Sequence, residues 1–316
     1  MVVKGPFNFN ERYNVDIVFR YAILASLPYC PQEKAEIITS GMQVFDRMGA
    51  SQPILTGRQE IKPYVAKPGE HWLISRSDMQ KTLTVVFRGT FGRTDTTKYN
   101  LNGTTVDVDR TLFPNDLVIP TPQPHAPQIY GGFQLSAAVH IPAAREALRE
   151  LRSTYKDYSI IVVGHSLGAA VARLFSLHLS LTAPELKPTM TYAIAEPIAT
   201  SKEFSDWALG KIGRDNYLRI LSSDDVVPFL RPNGGKFGHA RQARVLYFPD
   251  PDSPEGATLC PHDGHEDCGA KKLIRSRGWK HHNFLGGLII ATNMCDITEA
   301  KHTTQRLKFL FSRITE

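Results

Sequence analysis

An α/β fold with a mostly parallel central sheet is predicted by three observations. A β-branched run at 160–163 is short and apolar throughout; similar runs recur at 83–87, 190–194 and 217–221; and helical or loop segments separate them. Short apolar runs without alternation are the mark of strands buried on both faces. Their alternation with helical segments points to crossover connections and hence to parallel strands.

In chain order, residues 11–48 read as helical. Val15, Ile17, Val18, Tyr21, Ala22 and Leu24 fall on one side, and the pattern is interrupted near Pro28 and Pro31. Strand signals follow at 64–65, 71–75 and 83–87. A helix over 133–154 precedes the 160–163 strand, and another follows it. The basic, amphipathic stretch 301–313 reads as a packed terminal helix. At 316 residues and 35.3 kDa the chain is expected to form one domain over 1–316.

Hydrophobic residues make up 42% and charged residues 22%, which is ordinary globular usage and excludes a disordered or coiled-coil chain. The apolar run 284–291 is interrupted by two glycines and falls short of the ~18 residues a membrane span needs, so no transmembrane anchor is expected. The net charge of +6 is spread along the chain. With no arginine-rich helix or aromatic-basic motif, no nucleic-acid partner is expected.

Chemistry is signalled at Gly164-His165-Ser166-Leu167-Gly168, where the strand breaks into a helix-forming stretch. G-x-S-x-G between a strand and a helix holds a serine in a strained turn, and a side chain at either glycine would collide with the neighbouring strand or helix. A nucleophilic serine needs a base, an acid to orient it, and donors for an oxyanion. Asp224 and Asp225 both lie past the end of the 217–221 strand, and Asp225 is chosen because Val226, Val227 and Pro228 would fix its loop. Of eleven histidines, His281 and His282 stand out: both follow the serine and the aspartate in sequence and precede an apolar segment. The strand at 83–87 ends in Arg88, Gly89 and Thr90. Thr90 is a candidate oxyanion donor beside the Leu167 N–H, and Arg88 is expected to form a structural ion pair beneath the site. This chemistry requires no metal or organic cofactor.

The four cysteines allow three pairings. Cys260 and Cys268 enclose a polar loop and could form a bridge, or could bind zinc together with His262 and His265. Residues 1–9 lack the apolar centre of a secretory leader, which leaves an intracellular protein or a mature secreted form as alternatives.

Taken together, VVFRGT at 85–90, GHSLG at 164–168, DVVP at 225–228 and H-x-x-F-L-G at 281–286 resemble the class 3 (fungal-type) lipases, a branch of the α/β-hydrolases. The resemblance implies an α/β-hydrolase fold with Ser166 as nucleophile, Asp225 as acid, and Thr90 with Leu167 as the oxyanion hole. Its histidine spacing to a following aromatic residue selects His281, with Phe284, over His282. It also implies bridges Cys30–Cys295 and Cys260–Cys268, and with them an oxidising compartment and a secreted protein. Acylglycerols are the expected substrates, with a lipid–water interface as one place where they are met, and the protein is expected to be monomeric. A feruloyl-type or short-chain carboxylesterase, a phospholipase, and a catalytically silent binding relative are the alternatives.

Two departures from the family pattern stand out. Where relatives carry a short tryptophan-rich lid, 91–130 is long, polar and proline-containing; Phe91, Tyr99, Leu112, Phe113 and Leu117 are its candidate substrate-binding residues. Where many relatives have G-x-P-R-V-G, this chain has AEPIA at 195–199, which puts Glu196 near the acid loop.

Overall fold

The computed structural model describes residues 13–30, 72–77, 80–91, 100, 104–114, 127–223, 225–230, 236–268 and 280–291, together with the backbone of 3–4 and 52–54. The chain runs through β1 (Val3–Lys4), α1 (Val15–Ser26), β2 (Gln52–Ile54), β3 (Trp72–Ser77) and β4 (Thr82–Phe87). It continues through β5 (Thr105–Asp107), β6 (Gln128–Tyr130), α2 (Gly131–Thr154), β7 (Ser159–His165), α3 (Leu167–Thr182), β8 (Met190–Ile194) and α4 (Lys202–Ile212). Then come β9 (Tyr217–Ser222), β10 (Arg244–Phe248), β11 (Thr258–Cys260), β12 (Phe284–Leu285) and β13 (Leu288–Ile289).

Among the described residues nine strands form one sheet, ordered β1-β11-β10-β9-β8-β7-β4-β3-β2. The middle is parallel, with β4, β7, β8, β9 and β10 side by side, and the edges on both sides are antiparallel. Parallel strands need covering on both faces, and here each strand feeds two cores. Ile160 and Val162 of β7 join Val85, Phe87 and Ala193 in a core beneath α2, α3 and α4. Ile161 and Val163 point the other way and join Val86, Tyr192, Ile194, Leu218 and Ile220 against α1. Strand periodicity of two turns one apolar run into two packed faces, each full burial of such a side chain contributing about 1.5–3 kcal/mol.

The strands expected at 83–87, 190–194 and 217–221 and the helix at 133–154 appear within a residue or two of their predicted limits. Of the helix expected over 11–48, the described part is α1 followed by a 3-10 turn at Leu27–Tyr29, and 31–48 lies outside the described residues. That turn begins where Pro28, which has no N–H to donate, stops the α-helical ladder. The strand signal at 64–65 and the terminal helix at 301–313 lie outside the described residues.

Candidate active site

Ser166 sits at the carboxyl end of β7, at the centre of the sheet, as the N-cap of α3. Its φ of 58° and ψ of −129° put a non-glycine residue in a strained region, the kind of outlier that persists only where surroundings enforce it. The two glycines do the enforcing. A Cβ on Gly164 would lie 2.0 Å from the Gly168 carbonyl oxygen, and one on Gly168 would lie 2.2 Å from the Phe87 oxygen. Strand, turn and helix can therefore close only with hydrogen at both positions. The Ser166 N–H is held by the Ile194 carbonyl at 2.9 Å, anchoring the turn to β8. Leu167 opens α3, so its N–H has no partner one turn back in the helix and lies beside the serine.

The end of β4 closes against this turn: a Cβ on Gly89 would lie 2.9 Å from that of Ser166. Thr90 therefore reaches the site, half-buried. Its Oγ1 accepts a hydrogen bond from Asn100 Nδ2 at 2.7 Å, and the Tyr130 hydroxyl donates to the Asn100 carbonyl. With its acceptor side engaged, the Thr90 hydroxyl proton remains to be donated. Sequence reasoning missed Asn100, because a lone asparagine in a polar stretch carries no pattern. Arg88, expected in an ion pair, is buried with its guanidinium 5.0 Å from the centre of the Phe91 ring.

Asp225 is buried just past β9. Its Oδ1 accepts from the Val227 N–H at 2.9 Å, fixing the turn as the Val-Val-Pro sequence suggested. The histidine facing it is His282: its Nδ1 lies 3.1 and 3.0 Å from the two carboxylate oxygens. This corrects the choice of His281, whose ring is instead edge-on to Phe284 at 6.4 Å. The two histidines share a 3-10 turn at Lys280–Asn283, where successive side chains point about 120° apart. Only one can face Asp225, and a count of residues to Phe284 cannot tell which. Because a carboxylate only accepts, Nδ1 of His282 carries the proton and Nε2 keeps its lone pair.

His165, beside the serine, holds the histidine segment in place. Its Nε2 donates to the His282 carbonyl at 3.0 Å, and the two rings lie 4.7 Å apart. That assignment leaves Nδ1 to accept from the Tyr29 hydroxyl at 2.9 Å. Burial, then the nearby His282, hold the His165 pKa well below the usual value, so it is a neutral link.

Glu196 lies fully buried in the loop after β8, among Arg173 of α3, Tyr217 and Arg219 of β9, and His239. Burial pushes its carboxyl pKa up, but the neighbouring guanidiniums, Arg173 first and then Arg219, outweigh this and hold it at about 2. Arg219 also pairs with Asp263.

Leu112 and Phe113 are not at the site. Both are buried in the core under the helices, where Phe113 packs edge-on against Phe204 at 6.2 Å and His178 Nδ1 donates to the Leu112 carbonyl at 2.6 Å. Their candidacy as substrate-binding residues is therefore withdrawn: part of 91–130 is core, tied down where β5 pairs with β6. Phe91 is exposed next to Thr90, while Tyr99 and Leu117 lie outside the described residues. Cys260 and Cys268 form a disulfide, so neither sulfur is available as a zinc ligand. Cys30 is disulfide-bonded; Cys295 lies outside the described residues.

Comparison with known proteins finds that the family described as lipase (class 3) matches residues 84–234, from β4 through the acid loop. Over residues 84–234 the chain is similar to the class 3 lipases. Lipase A of Sodiomyces alcalophilus is 26% identical over 219 residues, covering 61% of this chain and 50% of that protein. A lipase of Rhizomucor miehei is 25% identical over 233 residues, covering 71% of this chain and 56% of its own. The chain thus spans about half the length of the curated relatives it matches. Among solved structures, the triacylglyceride lipase of Rhizomucor miehei matches with a TM-score of 0.67 at 20% identity, over 93% of this chain and 100% of that one. Lip2 lipase of Yarrowia lipolytica matches at 0.67 and 19%, over 92% and 98%. At such identities the likeness establishes the fold: the chain has the α/β-hydrolase arrangement of a mostly parallel sheet between helices.

Proposed function

We propose that the chain is a carboxylic ester hydrolase acting on acylglycerols through Ser166, His282 and Asp225, working over 1–316 as one unit, since both cores share a single sheet. The observation that carries this reading is the paired contact of His282 Nδ1 with Asp225, on a segment that His165 ties to the residue before a strained Ser166. Nε2 of His282 takes the Ser166 Oγ proton as Oγ attacks the ester carbonyl. The oxyanion is received by the Leu167 N–H and by Thr90, whose hydroxyl Asn100 orients. His282 returns the proton to the leaving alcohol, and an acyl-enzyme remains. Water, deprotonated by the same nitrogen, releases the acid and regenerates the hydroxyl.

Acylglycerols are favoured over feruloyl or phospholipid esters by the likeness to class 3 lipases and by exposed Phe91 and Leu230. Phe91 follows Thr90 and Leu230 follows the turn after Asp225, and both are exposed apolar side chains. Among the described residues no helix is long and apolar enough to cross a membrane. The Cys260–Cys268 bridge supports an oxidising, extracellular setting.

The test is turnover of nitrophenyl esters of rising chain length, an emulsified glyceride, a phospholipid and a feruloyl ester. A serine-directed phosphonate and Ser166→Ala serve as controls. Hydrolysis that favours glycerides and falls by about four to six orders of magnitude in Ser166→Ala is expected. Turnover unaffected by that substitution contradicts the assignment, and inert wild-type protein supports the silent binding relative instead.

A further inference from the structure

The Glu196 cluster lies outside the reacting groups, yet each of its arms ends on a segment that carries one. Arg173 comes from α3, seven residues after Ser166, and its Nε is 3.1 Å from Glu196 Oε1. The same guanidinium donates to Thr200 and Ser205 at 2.8 and 3.2 Å. Tyr217 donates to Oε2 at 2.5 Å and Arg219 Nε lies 3.4 Å from it; both residues are on β9, the strand that runs into Asp225.

His239 forms the remaining arm. Its Nδ1 lies 3.6 Å from Glu196 Oε2, and its Nε2 donates to the Pro228 carbonyl at 2.9 Å. A carbonyl only accepts, so the ring proton is on Nε2. The groups facing the ring are Arg219, Glu196 and Asp263; burial and then Arg219 hold its pKa below the ordinary value. Two arginines already balance two carboxylates, so a charged His239 would leave the cluster with a net buried charge. Pro228 belongs to the turn Val227–Phe229. Asp225 accepts from the N–H of Val227 in that turn, and His239 donates to the carbonyl of the next residue.

Resting on the hydrolase reading above, we infer that His239, packed beside Glu196 and hydrogen-bonded to Pro228, is a positioning residue for Asp225. Its bond to the Pro228 carbonyl fixes the acid loop and so the direction in which Asp225 presents its carboxylate to His282. A cluster that only stabilised the fold would govern unfolding and nothing else.

The test compares His239→Gln, whose side-chain N–H can reach the carbonyl, with His239→Met, of similar length but without a donor, in the full chain. Readouts are kcat and KM on a soluble nitrophenyl ester, the pH profile of kcat/KM, Tm, and the low-field N–H proton resonance that disappears in His282→Ala. His239→Met is expected to lower kcat about tenfold at similar KM, the loss of about one hydrogen bond's positioning. Its pH profile of kcat/KM should depart from that of wild type, because the contact of Asp225 with His282 is altered. Its low-field resonance should shift or broaden. His239→Gln should recover most of kcat and the resonance. Equal kcat, profile and resonance in the two variants and wild type, even with a lowered Tm, would overturn the inference. Absence of hydrolysis in wild type would instead count against the hydrolase reading, and the resonance would still decide the positioning role.

Discussion

The two sides of the candidate site are built differently. On the serine side, position is set by the backbone: strand β7, a turn that admits only hydrogen at Gly164 and Gly168, and a helix beginning at Leu167. On the acid and histidine side, position is set by side chains reaching across the sequence. His165 spans 117 residues to the His282 carbonyl, His282 spans 57 to Asp225, and His239 spans 11 to Pro228. A backbone-built feature fails all at once when its steric condition is broken. A feature held by side chains is lost in increments, one contact at a time.

The sharpest way to break that contrast is Gly164→Ala. The added methyl would lie 2.0 Å from backbone atoms that cannot move independently, and a loss of about 4 kcal/mol or more is expected, seen as a collapse of the urea midpoint or of soluble expression. A folded Gly164→Ala protein of near wild-type stability would show that the turn is less constrained than its geometry implies.

Next in size is Glu196→Gln, which removes the carboxylate from between two buried arginines and is expected to lower stability by about 3–5 kcal/mol. The pH dependence has a definite sign. The carboxyl sits at about 2 when folded against an ordinary 4.5, so its contribution is complete above about 4.5 and is lost as pH falls toward 2. Urea titrations should show wild type losing more stability than Glu196→Gln across that window. Parallel curves would mean that the charge is not held by its partners.

The smallest expected effect is that of Tyr29→Phe. It leaves Nδ1 of His165 without the hydroxyl at a buried site, at a penalty of about 1–3 kcal/mol in stability. Because one contact among several is removed, ester turnover should fall modestly, with KM unchanged. A loss as deep as that from replacing Ser166 would mean that the histidine side is as all-or-none as the serine side.

The same contrast explains what could be read from sequence. Strand β7 and the turn at Ser166 are local, written in consecutive residues whose sterics permit one solution. Asp225 was legible because Val226, Val227 and Pro228 fix its turn nearby. His282 was not, since adjacent residues on a 3-10 turn differ in direction rather than in pattern. Leu112 and Phe113 looked like lid residues within a polar stretch, and only tertiary contacts with His178 and Phe204 show them to be core. The partners of Glu196 were equally hidden: Arg173 and Arg219 read as ordinary charges in a helix and a strand until folding buries them around one carboxylate.

The central claim is that His282 is the base, and it is tested most directly by measuring kcat on one nitrophenyl ester for His281→Ala and His282→Ala side by side. The account predicts that His282→Ala falls by about three to six orders of magnitude and that His281→Ala keeps activity of the wild-type order. An inactive His281→Ala beside an active His282→Ala would contradict it.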